Sequence, residues 1–215
     1  MSENAAEETE TQPVRTEGLR DRQKRKRQAC ILDAASALFR RKSFDETTVE
    51  EIAEHAEVSP GTVFNYYGTK VNILLSLIEI ENRKILAAAF EPQSRARGKE
   101  DVCGFLESIA AESLSLVPPA AWCHVYSTLI TDRGSEFAGR FRKLQEELVR
   151  AIAGLIGEGE GAASEIDPLV IGRCIHRIHN AAFVELVAAE RPDFDRYLAD
   201  VDLHVGAVMK LIGRA

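Results

Sequence analysis

The chain has 215 residues, 45% of them hydrophobic, with a formal net charge of −7. That length suits one large domain or two smaller ones sharing a core, and the acidic balance argues against a general nucleic-acid coat. No run of about 18 apolar residues occurs, so no membrane span is expected, and the polar opening MSENAAEETETQ is not a secretory signal, which leaves the cytoplasm as the expected location.

The charge is unevenly spread. Residues 1–18 carry 1 basic against 5 acidic residues, 19–70 carry 10 against 8, and 71–215 carry 16 against 21. Only the middle block is positive, and RDRQKRKRQ (20–28) concentrates six basic residues against one acid. Such a cluster fits either a solvated helix start or a patch facing phosphates. Cys30, Cys103, Cys123 and Cys174 are scattered without a CxxC pair. That excludes a disulfide framework or zinc knuckle, and the thiols are expected reduced and mostly buried.

In chain order, residues 1–18 read as a disordered acidic tail, poor in large apolar side chains. A first helix is expected over about 21–42, where Ile31, Leu32, Ala35, Leu38 and Phe39 recur at three- and four-residue spacing. KSFDETT breaks it. A second helix over about 49–55 opens with a capping box, Thr48 and Glu51, and buries Ile52, Ala53 and Ala56. Ser59 caps a third helix with Pro60 at its first position, and Gly68 suits its end. Further helices are expected at about 70–90, 99–116, 119–131, 134–156, 168–189 and 194–213, separated by Gly- and Pro-bearing breaks. The expected fold is all-α with about nine helices.

Two short helices joined by a tight turn fit a helix-turn-helix. On the third helix Val63 and Tyr67 lie on one side and face the core, while Thr62, Asn65, Tyr66 and Thr69 make a small polar face without an acid. A recognition helix needs such a face, because phosphate repels carboxylates and side chains must reach base edges in the major groove. Phe64 lies between the two faces and its role is open.

The stretch ILDAASALFRRKSFDETTVEEIAEHAEVSPGTVFNYYGTKVNIL resembles the DNA-binding domain of the TetR (tetracycline repressor) family. The resemblance covers residues 21–75. It divides the chain into a tail (1–18), a helix-turn-helix DNA-binding domain (19–70) and a helical ligand-binding and dimerisation domain (71–215). It implies double-stranded operator DNA as a partner. Thr48 would donate to phosphate. Pro60, Gly61 and Thr62 would approach the groove, and Asn65 would read a base edge. Tyr66 and Lys70 would clamp phosphates, and Lys24, Arg25 and Arg27 would reach flanking backbone or the minor groove. Two positions depart from the family pattern. Glu57 stands where Gly is frequent and must take a less easy backbone conformation, and Phe64 stands where Tyr is frequent.

The resemblance also implies a homodimer through helices 168–189 and 194–213, packed as a four-helix bundle. Gly172, Ala181 and Ala182 would permit close approach, and Ile171, Ile175, Ile178, Val184, Leu198, Val201, Val205, Val208 and Leu211 would supply apolar area. A small, largely apolar effector would sit between the middle helices. Phe105, Ile109, Trp122, Tyr126, Leu129, Phe137, Phe141 and His179 are candidates for its pocket by apolar character, which equally suits a core.

CIHRIH (174–179) invites a metal reading, since His176 and His179 share a helical face. Cys174 points elsewhere and no third ligand is apparent, so packing histidines are expected and no metal or cofactor. No catalytic motif occurs, so no enzyme is expected. The expected function is a repressor released from a pseudo-palindromic operator by its ligand. The alternative is a ligand or redox sensor acting through protein partners with little DNA binding.

Overall fold

A computed structural model describes residues 18–89, 98–157 and 166–213. Except for Gly18, the expected tail lies outside the described residues. Among these there are nine helices and no strand: α1 (Leu19–Arg41), α2 (Val49–His55), α3 (Pro60–Tyr67), α4 (Lys70–Ala89), α5 (Lys99–Leu116), α6 (Pro119–Thr131), α7 (Glu136–Ile156), α8 (Pro168–Ala188) and α9 (Phe194–Leu211). No helix among them is long and apolar enough to cross a membrane.

The second half of α1 buries Ile31, Ala35, Leu38 and Phe39, α2 buries Ile52 and Ala53, and α3 buries Val63. Each large side chain sealed in this way contributes about 1.5–3 kcal/mol. The first turns of α1 are exposed on nearly every side, so the basic cluster projects beyond the core. Helix α4 is buried along Ile73–Ile78 and packs on both α1 and the body helices α5 and α7. It therefore links the N-terminal unit to the rest.

In the body α8 packs chiefly on α7 and α9. Gly172 makes the α7–α8 crossing tight, because a Cβ there would lie 2.8 Å from the Val149 carbonyl oxygen. The sequence had assigned this glycine to a contact between subunits; it serves a contact within one. The same correction holds for Ile171, Ile175, Val201 and Val205, which are buried in the protomer's own core. An amphipathic helix spends its apolar stripe on the nearest core first. Besides polar and charged residues, α8 leaves Leu169, Val170, Cys174, Ala181 and Ala188 exposed, and α9 leaves Ala199, Leu203, Ala207 and Leu211. The cysteines depart from expectation too: Cys30, Cys123 and Cys174 are exposed. Only Cys103 is half-buried, and burial pushes its thiol up to about 11.

Candidate nucleic-acid interface and body cavity

Local chemistry fixes the α2–α3 pair. The Glu51 amide donates to Thr48 Oγ1 at 3.2 Å, and Glu51 Oε2 accepts from the Thr48 amide at 2.9 Å. The hydrogen bond from Lys42 and the Thr48 amide together hold the Glu51 carboxyl down at about 2. The turn to α3 passes through Glu57 at φ 54°, the left-handed conformation its sequence position demands. Ser59 Oγ accepts from the Thr62 amide at 3.2 Å and lies 2.9 Å from the Thr62 hydroxyl.

On α3, Val63 points inward and is buried. Tyr67 is half-buried, its hydroxyl donating to the Gln28 carbonyl of α1 at 3.3 Å, and burial pushes that phenol up to about 12. Pro60, Gly61 and Asn65 are exposed, Thr62 and Tyr66 are partly so, and neither the Asn65 amide nor the Tyr66 hydroxyl has a hydrogen-bond partner among the described residues. No acid stands on α3. Phe64 is 52% exposed, which makes it part of the outward surface. Periodicity alone could not decide this, because Phe64 sits at the border of the buried stripe.

Two residues do not stand where the sequence placed them. Thr69 lies beyond the end of α3, and its Oγ1 accepts from the Asn72 amide at 3.2 Å in the first turn of α4. Lys70 turns inward. Its ammonium donates to the carbonyls of Phe44, Thr47 (2.7 Å) and Asp45 (3.4 Å), and lies 4.3 Å from the centre of the Phe44 ring. An ammonium has three donors, and all three are engaged. Burial pulls the Lys70 pKa down, against the attraction of Asp45. Lys70 thus braces the loop that leads into α2. Lys24, Arg25 and Arg27 are exposed on the projecting part of α1.

Two chains of contacts run from this unit into the body. In the first, His124 Nε2 of α6 lies 2.8 Å from Asp45 Oδ1, and its ring centre is 5.2 Å from that of Phe44. In the second, Arg140 of α7 donates to Glu79 at 2.6 and 3.1 Å and to Ser76 Oγ at 2.8 Å. Ser76 Oγ donates to the Asn72 carbonyl at 2.9 Å, and Asn72 Nδ2 to the carbonyl of Tyr67, the last residue of α3, at 2.8 Å.

A small cavity lies between α4, α5, α6, α7 and α8. It brings together five of the candidate pocket residues: Ile109, Trp122, Tyr126, Phe141 and His179. Phe105 does not join them; it lines a separate open hollow with Ile85 and Leu155. Leu129 packs against the core, and Phe137 is buried, stacked on Phe141 at 6.4 Å. The cavity has a volume of about 20 Å³, room for roughly one water molecule. Its wall also holds Asn82, Gln145 and Asn180, which apolar character could not point to. The Tyr126 hydroxyl donates to Asn180 Oδ1 at 3.0 Å, and the Trp122 indole N–H to the Ser113 carbonyl at 3.1 Å. His179 Nδ1 lies 2.7 Å from the Tyr197 hydroxyl, and His176 Nε2 is buried without a partner. Burial holds His179 down at about 3 and His176 at about 4, so both rings are neutral. Among the described residues no three His, Cys, Asp or Glu side chains are grouped to hold a metal.

Comparison with known proteins agrees with this geometry. The family model for bacterial regulatory proteins of the tetR family matches residues 31–77. The HTH-type transcriptional regulator TcmR of Streptomyces glaucescens is 35% identical over 85 residues, 38% of this chain and 38% of that protein. The HTH-type transcriptional repressor KstR of Rhodococcus jostii is 32% identical over 74 residues, 34% of each. The chain thus matches little more than a third of the length of these curated relatives. Solved structures match far more of it. A TetR-family transcriptional regulator from Pectobacterium atrosepticum superposes over 89% of this chain and 96% of its own, with a TM-score of 0.67 at 15% identity. The Thermus thermophilus repressor FadR, solved with lauroyl-CoA, covers 86% and 92%, with a TM-score of 0.54 at 22% identity. At such identity these two structures report on the fold.

Proposed function

The chain belongs to the TetR family of bacterial regulators, and from that premise we propose that it binds operator DNA as a homodimer and releases it when a small molecule enters its helical body. The observation that carries this reading is the outward surface of α3: exposed Phe64 and Asn65, the free Tyr66 hydroxyl, and no acid. Such a surface has no role inside the protein and suits the major groove.

In this reading Asn65 reads a base edge. Tyr66 and Thr48 donate to phosphates, and Pro60 and Gly61 let the backbone approach, with Thr62 beside them. Lys24, Arg25 and Arg27 meet flanking phosphates from the projecting turns of α1. Lys70 acts one step back, by holding the loop that positions Thr48. The dimer forms through the exposed stripe of α8 and α9, where alanines at 181, 199 and 207 let helices approach and Leu203 and Leu211 fill the gaps. A two-fold pair then presents two α3 helices to a pseudo-palindromic site.

Release is a population shift. A ligand that widens the cavity favours a state in which the two α3 helices no longer match the DNA repeat. Trp122 lines the cavity and His124 grips Asp45 from the same helix, so a displacement of α6 is felt at the entrance to α2. Arg140, Ser76 and Asn72 carry the strain of α7 and α4 to the end of α3.

Selection of DNA from a random pool by the purified chain, followed by sequencing, tests the reading. An enriched inverted repeat is the expected outcome. On that site Asn65→Ala should lose about 1–3 kcal/mol of discrimination at one base pair in each half, with the salt dependence unchanged. A pool that stays random refutes DNA reading, and equal loss on every site variant refutes the role of Asn65.

A further inference from the structure

The wall of the body cavity is more polar than a packing defect requires. Asn82 is 4% exposed and lines the cavity, and its amide has no hydrogen-bond partner among the described residues. Neither of its amide atoms is fully sealed, so what fills the cavity is what can pair with them. Asn82 follows Leu74 and Ile78 at four-residue spacing on one face of α4, where a leucine would continue the apolar stripe. Across the cavity on α8, His179 is 6% exposed and engages Tyr197 through Nδ1, so Nε2 is its unpartnered ring nitrogen. Gln145 of α7, also in the wall, has no hydrogen-bond partner either. Three helices therefore bring hydrogen-bonding groups without protein partners to one space.

The remainder of the wall limits what can satisfy them. No lysine, arginine, aspartate or glutamate lines the cavity. A charged ligand would leave water with no counter-charge to meet it. Trp122, Phe141 and Phe183 provide flat apolar surfaces that suit a ring.

We infer that the cavity takes an uncharged ring compound bearing a hydroxyl or carbonyl group, oriented by the amide of Asn82 and by His179 Nε2. This rests on the reading of the cavity as the effector site, and it gives the effector a polar edge that the sequence did not suggest. The hydroxyl of such a ligand donates to His179 Nε2 or Asn82 Oδ1 and accepts from Asn82 Nδ2. At about 20 Å³ the space admits no ring until its walls part. Entry therefore displaces Trp122, and with it α6.

The test uses three matched probes, 4-ethylphenol, ethylbenzene and 4-ethylbenzoate, titrated calorimetrically into the full chain. The wild type should bind 4-ethylphenol at least about tenfold more tightly than either of the others. Asn82→Leu should remove about tenfold of the phenol's advantage and leave ethylbenzene binding as it was. Should that variant fail to fold, Asn82→Ala, which only removes atoms, carries the same test. Equal binding of the phenol and the hydrocarbon, a preference for the carboxylate, binding of none of the three, or a probe order unchanged in both variants overturns the inference. An unchanged order would leave Asn82 as the holder of one trapped water. Fluorescence anisotropy of bound operator, read in parallel, separates the two readings. Phenol binding with no loss of DNA refutes the effector reading alone. Release of DNA by the hydrocarbon or the carboxylate, with the phenol inert, refutes the ligand class alone.

Discussion

On α3 the Asn65 amide and the Tyr66 hydroxyl stand without partners in the open, whereas in the body the Asn82 amide and the Nε2 of His179 lack protein partners in residues 4% and 6% exposed, around room for one water. The first surface is already shaped. Caps at Thr48 and Ser59, the left-handed Glu57 and the inward Lys70 fix it without help from a ligand. The second is too small for more than one water and presents groups that no protein atom pairs. In the proposed reading, a pre-shaped reading surface is joined to a body that must open to admit its ligand.

Acid should expose this difference most strongly. His176 and His179 have folded-state values near 4 and 3, against about 6.5 when unfolded. Desolvation is the main cause for both, assisted by Arg177 beside His176 and by His176 beside His179. The folded state refuses protons that the unfolded chain accepts, so the stability is whole above pH 6.5 and falls as pH drops. The slope approaches about 1.4 kcal/mol per pH unit for each ring only below the unfolded value, so roughly 3 kcal/mol should be lost between pH 6.5 and 5. Urea titrations at several pH values measure the slope, and His176→Leu should halve it. A flat profile over that window would mean that the rings are protonated at little cost and the body is not the strained half.

Lys70 provides the next contrast, within the N-terminal unit itself. If its ammonium serves the carbonyls of Phe44 and Thr47, Lys70→Met should lower folding stability by about 1–3 kcal/mol, with weaker DNA binding as a consequence of a loosened α2. The slope of affinity against salt should stay as it was, since no phosphate contact is lost. A slope reduced by about one unit, with stability unchanged, would return Lys70 to the phosphate backbone.

These two cases also mark what the sequence could disclose. The capping box, Ser59 before Pro60 and the awkward Glu57 are settled within a few residues of chain, and the helix boundaries follow from the same local rules. Phe105 was grouped with Trp122 on apolar character, yet it faces another hollow. Facing directions in the helical body depend on how long helices cross. Lys70 reached inward because a folded loop 23 to 26 residues earlier offered carbonyls, which no spacing rule encodes. Asn82 did leave a signal, a polar residue four after Ile78 on a buried stripe, but its meaning appears only when α8 brings His179 to the same space.

The smallest expected effect concerns the joint between the two regions. His124 and Asp45 are 43% and 63% exposed, so their contact should contribute only about 0.2–1 kcal/mol to stability, and His124→Ala should shift the melting temperature by no more than a few degrees. Its importance lies in communication. Trp122 sits in the cavity wall and Asp45 in the loop before α2, and His124 is the α6 side chain that touches the loop at both Asp45 and Phe44. Trp122→Phe and Asp45→Ala should therefore be non-additive in operator affinity, by about 0.5 kcal/mol, a little over twofold. The same pair made in a His124→Ala background should be additive, because the connecting side chain is gone. Non-additivity that survives the loss of His124 would route the coupling through α4, by way of Arg140 and Ser76. Additivity in both backgrounds would mean that the cavity and the reading head are joined by no contact at this loop.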